Sequence, residues 1–168
     1  MAGETLTAIH IGDLRAEAGA ATLAVYGLGS CVALVLYDPK AKIGGLAHVL
    51  LPGPRPPQDL LSDLPAKYAT EALGALVGRI EALGGRPKSL RAALVGGARL
   101  FQAEEDVDSN IGPRNASAAR QGLQEAAIPI AAEEVGGTQG RTVYFHLPEL
   151  RLEVKTLRGG RVEIPLAP

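Results

Sequence analysis

Residues 27–52 read GLGSCVALVLYDPKAKIGGLAHVLLP, and this stretch decides the centre of the fold. Two apolar runs, residues 32–37 and 43–51, are separated by a short polar turn at Asp38-Pro39-Lys40. Apolar runs on both sides of a short turn that contains proline are typical of two antiparallel strands. The stretch therefore predicts a β-hairpin.

The predicted hairpin brings together the only cysteine of the chain, Cys31, and one of its three histidines, His48. If Asp38 pairs with residue 42 or 43, antiparallel pairing places Cys31 opposite residue 49 or 50, with His48 as a near neighbour. Directly opposed residues have Cβ atoms about 4.5–5.5 Å apart, and diagonal ones about 7–8 Å apart. This range suits a thiol and an imidazole that exchange a proton, so the two residues are a candidate nucleophile and base.

The residues before Cys31 are rich in glycine. Gly27 and Gly29 leave the backbone bare for a substrate carbonyl to approach, and backbone N–H groups near Ser30 and Cys31 are candidate donors to a developing oxyanion. One hairpin would then supply a nucleophile, a base and oxyanion donors. The alternative is a structural cysteine, because a lone cysteine beside an apolar run is most often a small buried hydrophobe.

Three later segments accompany the hairpin sequence: GGARLF at 96–101, IGPRN at 111–115 and EEVGGTQGRTVYF at 133–145. In this order, the four segments resemble the bacterial chemoreceptor glutamine deamidases, the CheD family. The resemblance spans nearly the whole chain and implies a single CheD-like deamidase domain over residues 1–168. It also implies a layered α/β sandwich, no cofactor, and hydrolysis of selected glutamine side chains on the cytoplasmic helices of chemoreceptors (methyl-accepting chemotaxis proteins) to glutamate.

In this family a cysteine is the nucleophile and a histidine is its base, and the resemblance assigns these roles to Cys31 and His48. The family also has a threonine six residues before the cysteine, where this chain has Val25. Valine has nearly the shape of threonine but no hydroxyl, so another group would have to orient the base. Ser30 adjoins Cys31 and is the candidate hydroxyl, whereas Thr22 would point to the opposite face of its strand from Val25.

The composition bounds the class of protein. The 168 residues are 46% hydrophobic and 4% aromatic with no Trp, which is typical of one folded domain with an aliphatic core. The 17 basic and 18 acidic residues give a net charge of -1, so neither nucleic acid nor an anionic membrane is an expected partner. A single cysteine fits a reducing compartment, which predicts a cytoplasmic protein. No signal peptide, membrane span or metal site is expected.

Two helices are expected. Apolar residues recur at every third and fourth position over residues 66–83, which predicts a helix capped by Ser62 or Asp63 with Pro65 in its first turn. Asn115 is expected to cap a second helix over residues 116–127.

The remaining segments are expected to form strands and connections. Residues 14–21, the proline-rich residues 51–65 and the acidic residues 102–109 are expected to be connections. The Gly96-Gly97 pair is interpreted as tight backbone packing or as part of the site. The expected strands are 5–11, 22–26, 90–95, 128–134, 141–147, 151–157 and 162–166. The pattern predicts an α/β or α+β layered sandwich, with a mixed, largely antiparallel sheet and two main helices packed on it.

Two other functions fit the same residues. A chain that has lost catalysis, as Val25 would allow, could act as a binding module on receptors and on a CheC-type phosphatase, which the family also binds. A cysteine hydrolase acting on a small-molecule amide is also chemically reasonable, although no sequence feature points to a small ligand. The intact Cys31 and His48 favour the deamidase.

Overall fold

The computed structural model describes residues 5–60, 64–100, 110–156 and 158–166. In this part of the chain ten strands and two α-helices are formed. The strands are β1 Thr5–Ala8, β2 Leu14–Ala18, β3 Ala21–Leu28, β4 Val32–Asp38, β5 Ile43–Val49, β6 Arg91–Gly96, β7 Ile130–Val135, β8 Arg141–His146, β9 Arg151–Thr156 and β10 Gly160–Pro165. The helices are α1 Ala69–Ala82 and α2 Ile111–Glu125, and a short 3-10 turn covers Pro87–Ser89.

The strands form two five-stranded sheets. Sheet A has the order β1-β3-β8-β9-β10, and sheet B has the order β2-β5-β4-β6-β7. Only two of the pairings between these strands are parallel, β1 with β3 and β6 with β7. Both helices pack on sheet B. The predicted α+β layered sandwich, with largely antiparallel pairing and two helices packed on a sheet, is confirmed.

Strand β4 lies at the centre of the molecule because sheet B is covered on both faces. Its alternate residues Ala33, Val35 and Tyr37 face sheet A and belong to the apolar cluster between the sheets. The residues between them, such as Leu34 and Leu36, belong to a second cluster under the helices. A strand covered on both faces needs apolar residues at every position. This explains why residues 32–37 form a continuous apolar run rather than an alternating one.

The hairpin of β4 and β5 has the predicted register. Asp38 pairs with Ile43, and the ladder continues to its last pair, Val32 with Val49. The buried Asp38 carboxylate closes the turn, because Oδ1 accepts hydrogen bonds from the backbone N–H groups of Lys40 and Ala41 at 3.0 and 3.1 Å. Its Oδ2 accepts a third, from the N–H of Arg86, at 3.0 Å.

The expectation of a connection at residues 14–21 is wrong. Residues 14–18 form β2, which pairs antiparallel with β5 at the edge of sheet B. Its sequence, LRAEA, is small and polar because only Leu14 is buried and the other side chains are partly or fully exposed. Pairing with the edge of β5 decides the conformation here, and strand propensity does not.

The predicted start of the first helix is also wrong. Helix α1 begins at Ala69, with Tyr68 at the N-cap position and no side-chain capping bond. Tyr68 is extended, because it forms a β-bridge with Leu51, in which the Leu51 N–H donates to the Lys67 carbonyl at 2.8 Å. Pro65 therefore lies outside the helix, and the predicted caps Ser62 and Asp63 lie outside the described residues.

The second helix begins earlier than predicted. Helix α2 starts at Ile111, so Asn115 is a fully buried residue inside the helix and not its N-cap. Pro113 fits within the first turn because the N–H groups there have no partner inside the helix. The remaining strands lie within a few residues of their predicted ranges, and the acidic residues 102–109 lie outside the described residues.

Candidate active site

Cys31 and His48 lie on the same face of the hairpin. Cys31 directly precedes β4, and Ala33, two residues later, pairs with His48. Side chains two residues apart on a strand point to the same face, so Cys31 and His48 are diagonal cross-strand neighbours, as the sequence predicts. This face is the one that looks towards sheet A, because Cys31 and Ala33 both belong to the apolar cluster between the sheets.

The ring of His48 is fixed by a backbone carbonyl. Its Nδ1 lies 3.0 Å from the carbonyl oxygen of Ile9, and only 5% of the residue is exposed. A carbonyl oxygen only accepts hydrogen bonds, so Nδ1 carries the proton and the neutral ring has its lone pair on Nε2. Ile9 is held in turn by β3, because its N–H donates to the Ala24 carbonyl at 2.8 Å.

Burial favours the neutral forms of both side chains. It raises the pKa of the Cys31 thiol, against a smaller opposing effect of that residue's own backbone N–H. It also lowers the pKa of His48; the hydrogen bond to Ile9 opposes this shift, and the nearby His10 reinforces it. A neutral thiol beside a neutral imidazole suits proton transfer at the moment of attack, rather than a standing thiolate–imidazolium pair.

The segment that leads into Cys31 is held by the turn after β6. The Gly97 N–H donates to the Cys31 carbonyl at 2.8 Å, and the Ala98 N–H donates to the Gly29 carbonyl at 3.0 Å. Gly96 has a φ of +107°, and a Cβ atom there would overlap the Cys31 carbonyl oxygen. The tight-packing interpretation of Gly96-Gly97 is therefore confirmed, and the packing is against the cysteine segment itself.

Asn115 is the residue of this region that sequence reasoning missed. Its Nδ2 donates to the carbonyls of Ser30 and Leu50, at 2.9 and 3.0 Å. It lies on the buried face of α2 with Ala116, Ala119 and Leu123. The sequence signal for this role is a polar residue at a position that the helical period places on the apolar face of α2. Assigning Asn115 as the N-cap leaves this signal unused.

The other predicted site residues have separate environments. Val25 is fully buried between the sheets and pairs with Val143. Thr22 lies on the opposite face, as predicted, with its Oγ1 3.1 Å from Nδ1 of His146. In the described part of the chain, Ser30 is engaged through its carbonyl, by Asn115. No backbone hydrogen bond from the N–H of Ser30 or Cys31 is formed there, so both groups remain candidate oxyanion donors.

A cavity of about 560 Å³ lies beside the glycine segment. Its lining includes Gly27 and Gly29 together with Leu100, Arg141 and Lys155. Within residues 5–60, 64–100, 110–156 and 158–166, no group of three or more His, Cys, Asp or Glu side chains is placed to hold a metal ion. No α-helix within these ranges is long and apolar enough to cross a membrane.

A thiol, an imidazole with an unprotonated Nε2 and backbone N–H donors are the groups that a cysteine hydrolase uses, so these residues remain a candidate site of that type. The sequence model of the CheD family, described as CheD chemotactic sensory transduction, matches residues 50–156. The chemoreceptor glutamine deamidase CheD of Halalkalibacterium halodurans is 40% identical over 157 residues, which are 93% of this chain and 96% of that protein. The chain belongs to the CheD family.

Further relatives extend the similarity to archaea. The probable chemoreceptor glutamine deamidase CheD of Archaeoglobus fulgidus is 42% identical over 156 residues, which cover 93% of this chain and 96% of that protein. The corresponding protein of Pyrococcus abyssi is 37% identical over 159 residues, with 92% and 93% covered. The family model begins at residue 50, after Cys31 and His48. The pairwise similarities reach further and include the hairpin, because they leave only 7–8% of this chain uncovered.

Proposed function

We propose that this chain is a chemoreceptor glutamine deamidase, which hydrolyses specific glutamine side chains on the cytoplasmic helices of chemoreceptors to glutamate and releases ammonia. Membership of a family whose relatives are named for this activity supports the proposal. The structural observation that carries it is the bond from His48 Nδ1 to the Ile9 carbonyl, which leaves Nε2 basic on a ring that shares a face with Cys31. Residues 1–168 would form one cytoplasmic deamidase domain, with no cofactor.

The first half of the proposed reaction makes a thioester. His48 Nε2 accepts the thiol proton of Cys31 as the sulfur attacks the carboxamide carbon of the glutamine. The electron pair of the C=O bond moves to the oxygen, and the N–H groups of Ser30 and Cys31 stabilise the oxyanion, with each donor contributing about 2.7–4 kcal/mol. When the intermediate collapses, the C–N bond breaks and His48 gives its proton to the leaving nitrogen, which departs as ammonia.

The second half releases glutamate. His48 takes a proton from water, and the resulting hydroxide attacks the thioester carbon. The C–S bond then breaks, the carboxyl group is released, and the proton held by His48 returns to the Cys31 sulfur. The net change is one amide and one water converted to one carboxyl group and one ammonia.

Mass spectrometry tests this proposal directly. A receptor cytoplasmic fragment that carries its glutamines is incubated with the protein or with Cys31→Ala. We expect peptide masses to increase by the difference between an amide and an acid with the unaltered protein only. Full activity of Cys31→Ala would refute the assignment of the nucleophile. No mass increase with either protein, while the fragment still binds, would refute the enzymatic proposal.

One residue favours a second function. Val25 stands where the family has a threonine, so a chain with weak or no activity could persist as a module that docks on receptors and on a CheC-type phosphatase. The test is to compare binding of the receptor fragment and of the phosphatase with the deamidation rate. Binding of both partners by a chain that leaves the glutamines unchanged would favour this function over the first.

A further inference from the structure

A buried asparagine links the two backbone segments that hold Cys31 and His48. Asn115 is fully buried on α2, and its Nδ2 donates one hydrogen bond to the carbonyl of Ser30 and one to the carbonyl of Leu50. Ser30 is the residue before Cys31, and Leu50 is two residues after His48. The amide of Asn115 therefore contacts the backbone just before β4 and just after β5, at the end of the hairpin where the candidate site lies.

The two hydrogen bonds of Asn115 lie just beyond the last paired residues of the β4–β5 hairpin. The last ladder pair of β4 and β5 is Val32 with Val49, so neither Cys31 nor Leu50 belongs to a paired strand. The two N–H groups of Asn115 supply the connection that the ladder no longer supplies at this point. The other bonds hold each segment separately: Gly97 and Ala98 hold the cysteine segment, and Lys67 and Ala69 hold Leu51 beyond the end of β5.

The Asn115 side chain is only partly satisfied by hydrogen bonds, which is unusual for a buried polar group. The neighbours of Asn115 on the same helix face are Ala116, Ala119 and Leu123, so a polar side chain departs from the apolar pattern of this face. Within the described residues, the Oδ1 of Asn115 is buried without a hydrogen-bond partner. Incomplete hydrogen bonding of a buried polar group is a departure from the usual pattern that is expected at functional sites.

We propose that Asn115 is a positioning residue for the deamidation: its side-chain amide sets the spacing and orientation of Cys31 relative to His48. This inference rests on the proposed function and assigns to the same site a residue outside the cysteine–histidine hairpin. Asn115 acts through the backbone of Ser30 and Leu50 and takes no proton itself. Its loss is therefore expected to reduce proton transfer from Cys31 to His48 and to leave receptor binding intact.

The test compares Asn115→Leu with the unaltered protein, with His48→Ala and with the control Gln124→Ala, a truncation at an exposed position of the same helix. Leucine keeps the branched shape and the number of side-chain heavy atoms at position 115 and removes both donors. We expect kcat for deamidation to fall at least tenfold in Asn115→Leu while KM for the receptor fragment changes less than twofold. We also expect iodoacetamide to alkylate Cys31 at neutral pH as slowly as in His48→Ala. Gln124→Ala should match the unaltered protein in both measurements.

The alkylation profile separates this inference from the proposed function. If the unaltered protein does not deamidate the fragment, the pH dependence of Cys31 alkylation still reports whether His48 assists the thiol. The inference is overturned if Cys31 of a folded Asn115→Leu is alkylated as fast as in the unaltered protein. It is also overturned if His48→Ala leaves the alkylation rate unchanged, because then there is no cysteine–histidine pair to position. If circular dichroism shows that Asn115→Leu does not fold, Asn115→Ser, which keeps one donor, is measured in the same way. Its kcat and its rate of Cys31 alkylation are expected to lie between those of the unaltered protein and those of His48→Ala.

Discussion

The replacement Val25→Thr adds the hydroxyl that the resemblance to the family predicts at this position, and its effect can be worked out from the packing. Val25 is fully buried in the layer between the sheets. The last parallel pair of β1 and β3 is Ala8 with Ala24, and the Ile9 N–H donates to the Ala24 carbonyl at 2.8 Å. Val25 is therefore next along β3 from the residue that holds Ile9, whose carbonyl fixes His48.

Two magnitudes follow from this placement. A buried hydroxyl without a partner costs about 1–3 kcal/mol. At about 2–4 °C per kcal/mol for a chain of this size, Tm should fall by about 2–12 °C. The effect on catalysis should be small, because Nδ1 of His48 is already bonded to the Ile9 carbonyl at 3.0 Å. We expect the deamidation rate to rise less than tenfold, which corresponds to less than about 1.4 kcal/mol in the barrier.

The assay pairs thermal unfolding by circular dichroism with the initial rate of deamidation by mass spectrometry. Val143→Thr is the matched control, because Val143 pairs directly with Val25 and is equally buried. Val143→Thr introduces the same hydroxyl into the same layer between the sheets, but on β8, which is one strand further from Ile9 than β3 is. A rise of tenfold or more in Val25→Thr, absent from Val143→Thr, would show that the Ile9 carbonyl does not suffice to orient His48 and would refute this reasoning.

Three further predictions concern pH, the hairpin turn and the proline-rich loop. Because burial lowers the pKa of His48, the deamidation rate should persist below the ordinary histidine value of 6.5 and fall only as the pH drops through that lowered pKa, measured as initial rates against pH. Asp38→Ala should lower the free energy of unfolding by about 1.5–3 kcal/mol in urea at pH 7, because three backbone N–H groups lose their acceptor. Asp59→Asn should speed hydrogen exchange of residues 52–60 with little change in Tm, because Asp59 Oδ2 binds Lys67 Nζ at 2.8 Å and also the Tyr68 hydroxyl.

Each of these predictions has an outcome that contradicts it. A rate that already falls by half above pH 6.5 would mean that the His48 pKa is raised. Burial raises the pKa of Asp38, but its backbone N–H donors and the charge of Arg86 outweigh burial, so the net pKa is lowered. The contribution of Asp38 to the free energy of unfolding is therefore fully present above the ordinary pKa of 3.8 and is lost as the pH falls through the lowered pKa. An Asp38→Ala effect that is larger at pH 3 than at pH 7 would contradict this sign. Unchanged exchange in Asp59→Asn would mean that the loop is held by Arg55 and Glu71, whose side chains bond at 2.7 and 2.8 Å.

The hairpin and its register could be predicted because the information is local. The turn at Asp38 and the lengths of the two apolar runs fix which residues oppose each other, and the register in turn puts Cys31 and His48 on one face. The helices could be predicted from their periodicity, but their starts could not. The bridge between Leu51 and Tyr68 delays α1, and this pairing joins residues far apart in sequence.

The parts that failed depend on contacts between distant segments. Strand β2 has only one buried residue of its own, Leu14, and exists because the edge of β5 offers it a partner. The position of Asn115 in IGPRN looked like a helix start, since asparagine is a favoured N-cap. Its actual partners, the carbonyls of Ser30 and Leu50, lie 85 and 65 residues away along the chain. A single sequence contains no signal for such a pairing beyond the polarity of one position on an apolar face.

The substitution at Val25 is understandable once these distant contacts are known. A hydroxyl at residue 25 would be one way to hold the imidazole of His48, but the Ile9 carbonyl already holds it. Because this carbonyl is a backbone group, any residue at position 9 that leaves the backbone in place can supply it. The backbone at Ile9 is fixed by Ala24 on β3, and the backbone on both sides of the candidate pair is fixed by Asn115. Orientation of His48, the candidate base, thus depends on main-chain groups held by hydrogen bonds. For this reason the absence of a hydroxyl at residue 25 does not by itself predict loss of activity, whereas loss of the Asn115 amide does.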